Sequence, residues 1–302
     1  MATKAVGMIG LGIMGSAMSA NLLRAGFDVV GYDVLAQRRK EHRKAGGIVA
    51  RRCRDVAKGC AILVTSLPSS EALLATAAEL GHSSRERQVV IETSTLPIPV
   101  KAEARRRLAA RGITLLDCPL SGTGAQARAK DLIVYASGDR GAYRRAAPVM
   151  DGFARAHYYV GAFGAGSKMK FIANLLVAIH NVAAAEAFVL ARKAGLDPAL
   201  VLKVIADGAG SSRVLQVRGP MMVRGDYTNA TMKVQVWQKD MTIIGDFARK
   251  LDCPTPLFAA SAPIYTAAMA MGRSVEDTAA VCAVLEEMAN IPRGRGKRKS
   301  AR

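Results

Sequence analysis

Acidic residues are scarce in this sequence: 24 Asp and Glu stand against 43 Lys and Arg, for a formal charge of +19. A chain this basic attracts anionic ligands and, at low salt, nucleic acid. Six of the basic residues fall at the end (Arg293, Arg295, Lys297, Arg298, Lys299, Arg302), so the body is basic as well. No interleaving of basic with aromatic residues and no nucleic-acid recognition motif accompanies the charge. Cysteine is sparse too. The five cysteines (Cys53, Cys60, Cys118, Cys253, Cys282) are scattered, odd in number and without metal-ligand spacing. That pattern suits a reducing cytoplasm and argues against a structural zinc site. The four histidines (His42, His82, His157, His180) lie outside every motif below, which leaves no His–Asp dyad. No apolar run is long enough to cross a bilayer, because the longest helical pattern is broken by His180, Asn181 and Glu186. No signal peptide is expected, since Met1-Ala2-Thr3-Lys4 runs straight into a strand-like segment. What is there is a chain of 302 residues, half of them apolar, enough for two globular domains with a core each.

The first informative stretch is Ala5-Val6-Gly7-Met8-Ile9, followed at once by Gly10-Leu11-Gly12-Ile13-Met14-Gly15. A helical pattern runs through Met18, Leu22 and Leu23 to Gly26, and a second strand, Val29-Val30-Gly31-Tyr32, ends in Asp33. Strand, G-x-G-x-x-G, helix, strand and acid at this spacing predict dinucleotide binding, with a pyrophosphate on the helix N-terminus. Asp33 can accept from both ribose hydroxyls and repels a 2′-phosphate, which favours NAD over NADP. Arg38 and Arg39 follow closely, and either could instead receive a phosphate, so NADP stays open.

The alternation continues with strands at 61–66, 88–92, 113–117 and 132–136 and helices up to Leu80 and Arg111. It predicts an α/β unit with a parallel, doubly wound sheet. Residues just past the strand ends face the cofactor crevice: Leu67, Pro68, Ser94, Thr95 and the loop after Asp117. Ser94 and Thr95 can equally cap a helix before Pro97. The loop Ser121-Gly122-Thr123-Gly124 forms either an anion nest suited to a carboxylate or a plain turn.

Gly164-Ala165-Gly166 opens the longest helical run, unbroken by proline to Ala194 and about 43 Å long. Its middle is apolar nearly all round, the mark of a helix buried between layers. Lys170 and Asn174 lie one turn apart on one face, where a polar substrate could meet them. Otherwise Lys170 snorkels to solvent and Asn174 bonds backbone. Beyond Gly195 the pattern is helical: 198–206, 214–222, 234–249, 255–271 and 275–288. Lys239-Asp240 sits on one of these helices, either as a surface pair or with Lys239 reaching toward the cofactor or the active site. The expected organisation is a dinucleotide-binding domain (1–163), a long interdomain helix (164–194), an all-helical C-terminal domain (195–290) and a basic, disordered tail (291–302).

Together these stretches resemble the β-hydroxyacid dehydrogenase family, which includes 3-hydroxyisobutyrate dehydrogenases and tartronate semialdehyde reductases. The resemblance covers residues 4 to 290. Gly10-Leu11-Gly12-Ile13-Met14-Gly15 is similar to the family's cofactor fingerprint, and Asp117-Cys118-Pro119-Leu120-Ser121-Gly122 to its substrate motif. Gly164 to Lys170 with Asn174 resembles its catalytic motif, and Lys239-Asp240 its late pair. The family implies a Rossmann domain and a C-terminal domain like that of 6-phosphogluconate dehydrogenases. It also implies Lys170 as catalytic acid/base, Asn174 as a substrate ligand, Ser121 and Gly122 on the substrate carboxylate with Thr123 beside them, and Thr95 and Lys239 at the nicotinamide. Lys168, two residues from Lys170, faces away. Departures from the family pattern are Thr123 and Lys130 where glycines are usual, Ala173 before Asn174, and Met232 where an aromatic is common.

The activity implied is NAD- or NADP-dependent interconversion of a small 3-hydroxy carboxylic acid and its semialdehyde or keto form. Burial and the positive end of its own helix are expected to bring Lys170 toward a useful pKa. The long apolar helix and helical second domain predict a homodimer or homotetramer. The reading from another class is a basic, nucleic-acid-associated module that keeps the fold without turnover.

Overall fold

The structure is a computed structural model. It describes residues 5–81 and 88–292, so Met1 to Lys4, His82 and the expected tail from 293 onward lie outside the described residues. The chain divides into two compact units, Met1–Phe171 and Ile172–Arg302.

In the first unit, strands β1 (Ala5–Ile9), β2 (Asp28–Tyr32), β3 (Ile48–Val49), β4 (Ile62–Thr65), β5 (Val89–Glu92) and β6 (Thr114–Asp117) alternate with helices. These are α1 (Ile13–Arg24), α2 (Ala36–Lys44), α3 (Cys53–Val56), α4 (Ser70–Leu80) and α5 (Ile98–Ala109). The strands form one six-stranded sheet in the order β3-β2-β1-β4-β5-β6, every pair parallel. Both faces are covered, which is why the strands read as continuous apolar runs. Val6, Met8, Val64, Ile91 and Leu116 face one core with Met18, Leu22 and Phe153. Ile9, Leu63, Val90 and Leu115 face the other with Leu73, Leu80 and Leu108. The order reverses between β1 and β4, and the crevice at that switch point is where such sheets take ligands. Helix α2 escapes periodicity because only His42 of its nine residues is buried.

The expected strand at 132–136 is not part of this sheet. Pro119 has no N–H to give a ladder, and the chain leaves the first sheet there. A second, three-stranded sheet follows: β7 (Leu120–Ser121), β8 (Ile133–Ala136) and β9 (Ala156–Tyr159), with α6 (Gly124–Arg128) and α7 (Arg140–Phe153) between them. In it β7 and β8 run antiparallel, and β8 and β9 parallel.

Helix α8 (Ala165–Lys193) runs for 29 residues, and the division between the units falls within it. By length and composition α8 could cross a membrane, which corrects the expectation that no apolar run is long enough. One polar residue in its middle has protein partners, however. Asn181 is buried and donates to Tyr265 Oη at 3.1 Å and to the Thr278 carbonyl at 2.8 Å, both within the second unit. That unit continues with α9 (Pro198–Ala206), α10 (Arg213–Arg224), α11 (Val234–Arg249), α12 (Pro256–Ala270), a short 3-10 turn (Thr278–Ala280) and α13 (Val281–Met288). The last helix begins later than the expected 275. Asp277 accepts from Ala279 N–H and pairs with the buried Arg218 at 3.2 Å, fixing a cap where the pattern suggested helix.

Candidate active site

Three glycines after β1 do three different things. Gly10 has φ +90°, and a Cβ there would meet the Ser66 carbonyl oxygen at 2.2 Å. A Cβ on Gly15 would meet the Gly10 carbonyl oxygen at 1.8 Å, so Gly15 lets α1 pack against the turn. Gly12 is different: its Cβ would meet only Arg38, at 3.7 Å. Nothing in the fold requires a glycine there, so its small size leaves a cradle for something outside the chain. Helix α1 also opens with no side-chain cap and no acid in its first turn. Its leading N–H groups, Ile13 and Met14 among them, are those an anion would take. These residues fit the pyrophosphate of NAD or NADP.

Asp33, at the end of β2, is nearly fully buried. Its Oδ2 accepts from Leu11 N–H at 2.8 Å and its Oδ1 from Leu35 N–H at 2.9 Å, so it fixes the glycine turn as well as ending the strand. Arg38 pairs with the same Oδ2 at 3.2 Å. A carboxylate oxygen has two lone-pair sites, so Oδ1 keeps one for a ribose hydroxyl.

Leu67 and Pro68 follow β4, and Thr95 follows β5, all partly or fully exposed at the carboxyl end of the sheet. Neither Ser94 nor Thr95 caps the next helix: the cap position of α5 is Pro97, with no side-chain cap bond. Ser94 is instead buried, and its Oγ accepts from Leu67 N–H at 2.8 Å, joining the two loops. Ser121 ends β7, and Gly122 has φ +133°. Thr123 then caps α6 in a capping box with Gln126. Its N–H donates to Gln126 Oε1 at 3.0 Å, which takes that group out of the expected nest. Lys130 has φ +59°. The chain closes α6 there with Asp131 N–H on the Gln126 carbonyl and Lys130 N–H on the Ala127 carbonyl. This is a Schellman cap, whose left-handed position favours glycine.

The start of α8 is built against the same strand ends. A Cβ on Gly166 would meet the Tyr135 carbonyl at 2.3 Å and the Asp117 carbonyl at 2.6 Å. Gly166 N–H donates to Ser137 Oγ at 2.9 Å, and Ser167 N–H to Asp117 Oδ2 at 2.8 Å. The N-terminus of α8 is therefore closed by protein groups, whereas that of α1 has no side-chain cap. Lys170, half-buried, rides on this helix one residue beyond the exposed Met169, and Lys168 is exposed.

Sequence reasoning missed Lys101. It is 1 % exposed, and its Nζ pairs with Glu92 Oε2 at 2.6 Å and Asp117 Oδ1 at 2.8 Å. Burial alone would push this lysine down, but the two carboxylates outweigh it and hold it above the ordinary value. The signal was available: Lys101, Ala104 and Leu108 form the buried stripe of α5 at helical spacing. A lysine on such a stripe needs a buried partner.

In the second unit, Asn174 is 5 % exposed, and its Nδ2 donates to Asp240 Oδ2 at 2.9 Å. Lys239 Nζ lies 3.4 Å from the other oxygen of Asp240. Asp240 is buried on α11 and gathers both predicted residues, which is more than a surface pair. Among the described residues no cluster of His, Cys, Asp and Glu is placed to hold a metal ion.

A six-stranded parallel sheet with this glycine cradle at its switch point defines a Rossmann-type dinucleotide-binding protein. The family described as the NAD binding domain of 6-phosphogluconate dehydrogenase matches residues 5–161. The family described as NAD-binding of NADP-dependent 3-hydroxyisobutyrate dehydrogenase matches residues 164–285. The chain is 36 % identical to the L-threonate dehydrogenase of Cupriavidus necator over 91 % of its own length and 94 % of the relative's. A solved 3-hydroxyisobutyrate dehydrogenase from Salmonella typhimurium is 31 % identical with a TM-score of 0.83, covering 93 % of this chain and 99 % of that one. A Mycobacterium tuberculosis 3-hydroxyisobutyrate dehydrogenase, solved with L-serine, is 28 % identical with a TM-score of 0.85, covering 94 % and 99 %. The chain belongs to the β-hydroxyacid dehydrogenase family, as a dehydrogenase or reductase of CH–OH groups that uses NAD or NADP.

Proposed function

We propose that this enzyme interconverts a small 3-hydroxy carboxylic acid and its semialdehyde or keto form, with Lys170 as acid/base. The observation that supports this most is the seating of α8, whose first turn is bonded to residues at the carboxyl ends of β6 and β8. Lys170 thus belongs to the end of the sheet that carries the glycine cradle. The nicotinamide, when bound, supplies or accepts the hydride. Lys170 takes the hydroxyl proton in oxidation and returns one in reduction. Asn174, with its nitrogen committed to Asp240, offers Oδ1 to the substrate hydroxyl. Ser121 and Gly122 hold the carboxylate, with Thr123 shaping the loop beside them, and Thr95 and Lys239 attend the nicotinamide. The basic surface draws in the anionic substrate.

NAD is the preferred cofactor in this reading, because a buried carboxylate at Asp33 repels a 2′-phosphate and holds Arg38. The cytoplasm is the proposed setting, in keeping with five free cysteines. Exposed Leu196, Leu200 and Val204 support pairing of copies into a homo-oligomer. Sedimentation of a monomer at micromolar concentration would remove that part.

The test is nicotinamide absorbance with L-threonate, 3-hydroxyisobutyrate and their keto or semialdehyde counterparts, with NAD and NADP, for wild type and Lys170→Met. Turnover in wild type and a loss of at least ~1,000-fold in the variant, with cofactor affinity intact, is the expected result. Most of kcat surviving in Lys170→Met would overturn the assignment.

A further inference from the structure

The Lys101 cluster lies outside the proposed chemistry, yet its bonds lead to several parts of it. One arm runs through Asp117. That carboxylate accepts from Lys101 Nζ and, on the same oxygen, from Ser167 Oγ at 2.8 Å, while its other oxygen accepts from Ser167 N–H. Ser167 stands three residues before Lys170 on α8. The second arm runs through Glu92. Its Oε1 accepts from Ser94 N–H at 2.9 Å, and Ser94 Oγ accepts from Leu67 N–H. Leu67 and Thr95 are the loop residues assigned to the cofactor. Lys101, Glu92 and Asp117 are each 0–1 % exposed.

A stable fold does not need this arrangement. Three ionisable side chains buried this fully are costly to take out of water, and an apolar trio of similar volume often does as well. What the trio supplies is geometry: fixed distances among β5, β6, α5 and α8, set by charge-assisted bonds that tolerate little displacement. We propose that Lys101 is a positioning residue, whose ammonium, held between Glu92 and Asp117, registers the helix carrying Lys170 to the loops carrying Leu67 and Thr95. This rests on the assignment of Lys170 as acid/base. The cofactor side and the proton-transfer side of the reaction then share one buried anchor. Small misplacement between such groups costs rate out of proportion to stability.

The arms separate experimentally. Ser167→Ala removes one bond of the Asp117 arm and leaves every ion pair. It is expected to lower kcat at least ~10-fold with NADH affinity unchanged, and to raise amide exchange in residues 164–171 alone. Ser167→Thr, which keeps the hydroxyl, is expected to restore both. Ser94→Ala is expected to weaken NADH binding, read by fluorescence, and leave exchange at 164–171 as in wild type. Lys101→Met is expected to produce both defects together. If it fails to fold, the two serine variants decide alone. Ser167→Ala with wild-type exchange and kcat would overturn the proposal. So would uniform exchange across the whole first unit, which marks general destabilisation. Lys170→Ala is measured alongside: turnover surviving there defeats the acid/base assignment, while exchange and NADH affinity still judge the anchor.

Discussion

Asn174 Nδ2 donates to Asp240 Oδ2, and both side chains are buried in the second unit. A carboxylate is an acceptor only, so the bond fixes which way the amide turns and directs its carbonyl oxygen away from Asp240, the oxygen we propose meets the substrate. Asp240→Asn removes that discrimination, because an amide can meet either end of Asn174. We expect kcat to fall ~10- to 100-fold while NADH affinity holds. Steady-state kinetics beside a fluorescence titration would check this, and a fall in affinity with kcat intact would place Asp240 with the cofactor instead.

Asp33 should set the choice of cofactor. Asp33→Ser removes the buried charge and releases Arg38, which then has a 2′-phosphate as its natural partner. The ratio of kcat/KM for NADP to that for NAD should rise by about 100-fold, near 2.7 kcal/mol of transition-state preference. The same carboxylate holds Leu11 N–H, so both cofactors should lose some absolute rate.

Lys130 occupies the left-handed position of the cap on α6. Lys130→Gly should stabilise the protein by about 0.5–1 kcal/mol, the relief of a side chain at positive φ less the extra freedom of glycine when unfolded. Lys130→Ala keeps the same backbone problem and should gain nothing. Urea melts of the three proteins would test this.

Acid should weaken the first unit through His42. Burial pushes this imidazole below its ordinary value of 6.5. Its Nδ1 is 3.1 Å from Ser19 Oγ and its Nε2 is 3.2 Å from the Val29 carbonyl. The unfolded chain binds the proton more readily than the folded one. The stability associated with neutral His42 is therefore complete above pH 6.5 and is lost as pH falls through that value toward the lower folded pKa. Urea midpoints between pH 8 and pH 5 should drop for wild type and drop less for His42→Gln. Parallel curves would show that His42 is not the titrating group.

Local pattern carried the glycine turn and the acid of β2. Strand, glycine turn, helix, strand and Asp33 are adjacent in the chain, and their spacing survives folding unchanged. Asn174 on the long helix and Lys239-Asp240 on a later one were also legible as motifs. Their connection was not, because 66 residues separate Asn174 from Asp240. The strand at 132–136 was visible as a strand, but its sheet was misassigned, since an apolar run does not record which neighbour it pairs with.

Lys101 marks the boundary most clearly. Its helix also carries Arg105, Arg106 and Arg107, all exposed, and composition alone makes the four look alike. The places of the glycine cradle, the acid of β2 and the helix of Lys170 along the chain follow from turn chemistry and periodicity over a few residues each. That Lys101 is buried while its neighbours are solvated, that Asp117 closes the start of α8, and that Asp240 turns the amide of Asn174 come from long-range packing. Those outcomes depend on which distant carboxylate arrives within about 3 Å of a buried donor, where an unpaired charge is too costly to keep.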